Sequence, residues 1–154
     1  MDDFVLARVL HVLAIIPWIG GVAFVTTALM PSIRRNNPPD ARLSAFHRVE
    51  QSFAWQARLW VALAGVSGFW MIHRADLWGR FADLHYWWMH AMLCLWLVFA
   101  LMLYIVEPLF LHRRMKRPAN PARNFARMEW MHRLLFALAL VTIFGAVAGS
   151  HGLI

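Results

Sequence analysis

The chain has 154 residues, of which 61% are hydrophobic and only 15% charged, against an apolar share of about half in an ordinary soluble domain. This excludes a water-soluble domain as the expectation and points to one membrane domain. The formal charge of +7 would suit nucleic acid, but most basic residues flank apolar runs, where membrane topology accounts for them, so no nucleic-acid partner is expected. The single cysteine, Cys94, excludes an intrachain disulfide and a cysteine metal cluster.

Taken in order, the sequence predicts an all-α integral membrane protein built as a four-helix bundle, because four apolar segments approach the roughly 20 residues that span a bilayer. Asp2 and Asp3 stand where a signal peptide would carry positive charge, so no cleavable signal is expected. The first span covers residues 4–30 and is closed by Pro31, Arg34 and Arg35. Within it Pro17 removes a backbone donor, which predicts a kink. Residues 36–40 form a turn cluster, and residues 41–51 read as a short amphipathic helix on the membrane surface. The second span covers residues 53–72, with Arg58 expected to snorkel along its own stem to the nearer interface. A polar connection leads to the third span, residues 84–106, and a basic proline-containing loop leads to the fourth, residues 129–149.

Orientation follows from Lys and Arg. Of the 15 in the chain, 12 fall on the first and third connections with their flanks, leaving only Arg8, Arg74 and Arg80 for the other side. The positive-inside rule therefore predicts both basic loops in the cytoplasm and both termini on the outer, periplasmic side of a bacterial-type inner membrane.

Threaded onto that topology, the eight histidines separate. His47, His112 and His132 fall at the cytoplasmic ends, while His11, His73, His85, His90 and His151 fall toward the outer side. An imidazole within hydrocarbon must be paired, bound to a metal or turned to a cavity. Neutral imidazoles from different helices are suitable axial ligands for a b-type haem, and the absence of Cys-x-x-Cys-His excludes covalent c-type attachment. His11 and His90 are the expected haem-iron ligands, with His151, His73 and His85 as reserve ligands or holders of a second metal. Trp18, two helical turns from His11, Tyr86, one turn before His90, and Trp87 are expected to wall the haem. Gly21, with Gly20, Gly65, Gly68, Gly145 and Gly149, is expected to leave it room. Each feature also has an ordinary reading: packing histidines, a Gly145-x-x-x-Gly149 helix contact, and tryptophans as an interfacial belt. Copper is the alternative cofactor, since Met71 accompanies His73, and Met89 and Met92 flank His90.

The stretches His11-Val-Leu-Ala, Trp18-Ile-Gly20-Gly21 and Trp88-Met89-His90-Ala91-Met92-Leu93 resemble the CopD-like family of small polytopic membrane proteins. More distantly they resemble the HemJ-type protoporphyrinogen oxidases. The resemblance covers about half the chain. It implies a four-helix membrane bundle, with the His11 position a haem ligand in the HemJ-type case. Those oxidases usually carry a lysine two residues after the third-span histidine, where this sequence has Met92. The function expected from the whole is one-electron transfer through one or two b haems, with a quinone or a partner redox protein as the other party. A copper-handling protein, a porphyrinogen oxidase and a structural subunit of a respiratory complex are the alternatives, and a homo-oligomer is left open.

Overall fold

A computed structural model places residues 3–108 and 120–153, and every regular element among them is helical. Helix α1 spans Asp3–Phe24, passes through a π-helical turn at Val25–Leu29, and continues as α2, Met30–Asn36. The three pieces form one rod of 34 residues, about 50 Å long. Pro17 lies inside α1 without ending it, and the departure from α geometry comes later, at the π turn. There the Thr26 and Thr27 hydroxyls donate to the Val22 and Ala23 carbonyls, each at 2.7 Å. These bonds supply donors where the register shift loosens the backbone ladder.

Helix α3 runs from Arg42 to Arg74, 33 residues without a break. The expected surface helix and second span are thus one element. Neither proline nor glycine occurs between Arg42 and Ala64 to interrupt it. Its first turns do not lie free on a membrane surface. Leu43, Ala45 and Phe46 pack with Met30, Ile33 and Phe125 into a small apolar core at the lower end of the bundle, the end bearing Arg34.

Two 3₁₀ segments, Leu77–Ala82 and Leu84–Tyr86, lead into α4, Trp87–Leu101, which ends in a second π turn at Met102–Val106. Helix α5 runs from Pro121 to Ser150, its start fixed by Asn120, whose side chain accepts from the Arg123 amide at 3.0 Å. The basic residues Arg113, Arg114, Lys116 and Arg117, and His112, lie outside the described residues.

Three helices are long and apolar enough to cross a bilayer: Asp3–Asn36, Leu84–Val106 and Pro121–Ser150. The remaining long helix, α3, carries Gln51, Gln56 and Arg58 and lies chiefly against α1. All four contribute to the main core, formed by Ala14, Trp18, Ile19 and Val22 of α1, Val61 and Ala64 of α3, Leu95 and Phe99 of α4, and Leu135 and Ala139 of α5.

Charges near this core are matched. Pro108 has no amide hydrogen, so the Leu103 carbonyl, five residues earlier in the π turn, has no backbone donor in that register. Arg58 Nε supplies the bond at 3.0 Å, and its guanidinium also holds Glu107 at 3.2 Å. Arg58 is therefore anchored across the α3–α4 contact rather than extended alone to an interface. Glu129, buried in the lower half, is held by Arg133 at 2.6 Å and Arg34 at 3.5 Å. At the upper end Arg74 faces Asp3 at 3.7 Å.

Candidate functional site

The histidines of the upper half are held in different ways, and the difference is chemical. The His11 ring, half-buried on α1, lies against α3. Its Nδ1 is 2.8 Å from the Ala64 carbonyl, with Ser67 Oγ at 3.2 Å. A carbonyl oxygen can only accept, so Nδ1 carries the proton and donates, which leaves Nε2 as the bare lone-pair nitrogen. Among the described residues Nε2 has no hydrogen-bond partner. The edge of the ring can come this close to α3 because residue 68 is glycine: a Cβ there would stand 3.1 Å from His11 Cε1 and 3.4 Å from Nδ1. One ring nitrogen anchored on a backbone carbonyl and the other open is how metal-binding histidines are oriented.

His151, at the end of α5, shares the arrangement. Its Nδ1 is 2.9 Å from the Val147 carbonyl, Ser150 Oγ is 3.1 Å from the same nitrogen, and Nε2 is open. Depths can be compared through Thr26 Oγ1, which is 3.5 Å from the His132 carbonyl and so sets the register of the antiparallel α1 and α5. Fifteen residues toward the upper end, α1 carries His11 and α5 carries Val147, the residue whose carbonyl holds the His151 ring. The two rings therefore lie within about one helical turn of a common level.

His90 is held differently. Its Nδ1 is 3.2 Å from the Tyr86 carbonyl and its Nε2 is 3.0 Å from the Phe81 carbonyl, so both nitrogens face acceptors. In this arrangement the ring fastens the 3₁₀ connection to α4. Tyr86 supplies a backbone acceptor to it, while its own ring lies under Arg80 at 4.7 Å. His85 is exposed and stacks edge-on with Tyr86 and Trp88. His73 is exposed on α3, and its side chain has no partner among the described residues. In the lower half, His47 bonds Glu50 at 3.0 Å, and His132 bonds the Met128 carbonyl and packs on Phe46.

Trp18 is buried in the main core, edge-on to Phe99 at 5.2 Å, and its Nε1 has no hydrogen-bond partner. Sequence reasoning chose Trp18 as a wall and did not foresee this orphaned donor. The expected room beside the glycines is taken by aromatic rings. Trp87 fills the face of Gly145, Trp88 that of Gly149, Trp96 that of Gly65, and Phe53 lies against Gly21. Gly20 alone of the α1 pair faces open space. Among the described residues no three of His, Cys, Asp and Glu come together as a metal-holding group. For a haem, the donor chemistry at His11 and His151 fits, whereas His90 would first have to release the Phe81 carbonyl.

Fold and site define an all-helical protein with helices suited to a bilayer and, in its upper half, imidazoles anchored with one nitrogen open. No family model, curated protein or solved structure matches the chain.

Proposed function

We propose that the chain is a four-span inner-membrane protein of CopD-like type, with both termini outside, that binds b-type haem and transfers single electrons to or from a membrane quinone or a redox partner. The observation that carries this reading is the His11 ring, with Nδ1–H committed to Ala64 and Nε2 open, inside an apolar helix. A bare imidazole nitrogen among hydrocarbon is costly unless something engages its lone pair, and a haem iron does so.

His151 would be the second residue to hold the haem iron, since its ring is anchored in the same way at a similar depth. Each ligand's role rests on its anchoring carbonyl, which fixes the tautomer and the direction of Nε2. Trp18, Ile19 and Val22 below His11 exclude water from the core beneath the site. Bound haem would supply the one-electron chemistry, and axial ligation and burial would set its potential. Support for the orientation is that Arg34, Arg35, Arg42 and Arg48 lie at the same end of the bundle as Arg123 and Arg127.

Absorbance of the detergent-purified protein, oxidised and then reduced, together with metal analysis, tests the assignment. Soret and α bands with about one iron per chain are expected. Copper without a Soret band overturns the haem reading in favour of a copper-handling protein.

A further inference from the structure

Helix α3 presents two contrasting faces. Ala64, Ser67 and Gly68 carry the His11 contact. On the opposite side Ala62, Gly65, Val66, Phe69, Trp70 and His73 line an open groove of about 740 Å³, completed by Trp78 and by Trp96, Ala100 and Tyr104 of α4. The groove looks out of the bundle, where a protein with membrane-spanning helices meets lipid. Its walls are apolar along its length, with small residues at Ala62, Gly65 and Ala100. A polar handle stands at its upper end, where the His73 ring has no partner among the described residues and Trp70 and Trp78 share the lining.

We infer that this groove binds the head and first isoprenoid units of a membrane quinone, with His73 hydrogen-bonding a quinone carbonyl. The proposal rests on the haem reading for its purpose, and on the groove alone for its binding. Three observations select this occupant among bilayer molecules. The chain of the occupant must be apolar and extended, since the apolar groove runs from His73 to Ala62 on α3, about 16 Å. The head must be neutral, because no groove-lining residue is charged and the cations nearby are engaged, Arg74 with Asp3 and Arg80 over the Tyr86 ring. A phospholipid phosphate would find no cation in the groove lining. A flat head suits the upper end, where the indoles of Trp70 and Trp78 line the groove together with His73. A quinone so placed is separated from His11 by little more than the thickness of α3, about 10 Å.

The test uses the purified full chain in nanodiscs of neutral phospholipid, with a short-chain benzoquinone as probe and tryptophan fluorescence quenching as readout. Saturable quenching is expected. His73→Leu should weaken binding about tenfold, as for one lost hydrogen bond to a buried carbonyl, and His73→Gln should restore part of it. Val66→Trp, at a residue 70% exposed in the groove, should abolish saturation, while Leu140→Trp, at a 51% exposed residue of α5 away from the groove, should leave it unchanged. Linear, non-saturable quenching, an unchanged His73→Leu, or equal displacement by anionic phospholipid would overturn the proposal. The outcome is independent of haem: binding that survives in His11→Ala supports the groove even where the haem reading fails, and a haem spectrum without quinone binding does the reverse.

Discussion

The α4–α5 contact offers a sharp test of how the bundle is held. Gly149 lies against Trp88, which is only 5% exposed. A methyl group at position 149 would stand 2.6 Å from Trp88 Cη2 and nearer still to Cε2 and Cζ2. Carbon atoms rest at about 3.5–4.0 Å, so the ring or the whole of α5 must move by about 1 Å. Overpacking of this kind costs about 1–3 kcal/mol, offset by about 0.5–1 kcal/mol from replacing glycine inside a helix. The net loss for Gly149→Ala is then about 0.5–2 kcal/mol. Gly20 is the control: nothing lies within 4 Å of its would-be Cβ, so Gly20→Ala should gain about 0.5–1 kcal/mol. Thermal unfolding in one detergent, followed by circular dichroism, should place the Gly149→Ala midpoint several degrees below wild type and Gly20→Ala at or above it. A Gly149→Ala protein as stable as Gly20→Ala would refute the reasoning that Trp88 is locked against α5.

Four further outcomes follow from the same packing. Phe46→Ala empties a site that is 1% exposed in the lower core, and should cost about 3–5 kcal/mol, whereas Trp55→Ala, at 61% exposure, should change stability by no more than about 0.5 kcal/mol. Arg58→Met leaves the Leu103 carbonyl and Glu107 without their partner; a loss of about 1–3 kcal/mol is expected, and an unchanged unfolding midpoint would remove the role given to this network. Reporter fusions after Arg117 and after Ile154 should report opposite sides of the membrane, and the same side for both would defeat the topology. With haem bound, His151→Ala should convert a low-spin spectrum to a high-spin one while His90→Ala leaves it low-spin; the opposite ranking would return the second ligand to His90.

Much of the architecture was legible because apolar length and proline or glycine punctuation are local properties. The first, third and fourth apolar runs reappear as long helices, and the turn at residues 37–40 separates α2 from α3. The break expected between residues 51 and 53 did not occur, since polar residues there lower hydropathy without stopping a helix. The π turns left no pattern in composition, although Pro108 explains one of them once Leu103 and Arg58 are seen together. The histidines were legible as a set but not in their orientations. Depth alone favoured His90, yet its two nitrogens are both engaged by carbonyls from Tyr86 and Phe81, and no sequence spacing encodes that. Glycines posed the same ambiguity: a missing side chain makes room equally for a cofactor or for Trp87, Trp88 and Trp96, and only the packing decides.

The most direct test of the central claim is the reduced-minus-oxidised absorbance spectrum of His11→Ala beside wild type, both purified under the same conditions and matched for helix content. With His11 Nε2 as the axial ligand, wild type shows Soret and α bands and His11→Ala loses them. A His11→Ala protein with wild-type haem content and an unchanged low-spin spectrum would contradict the account.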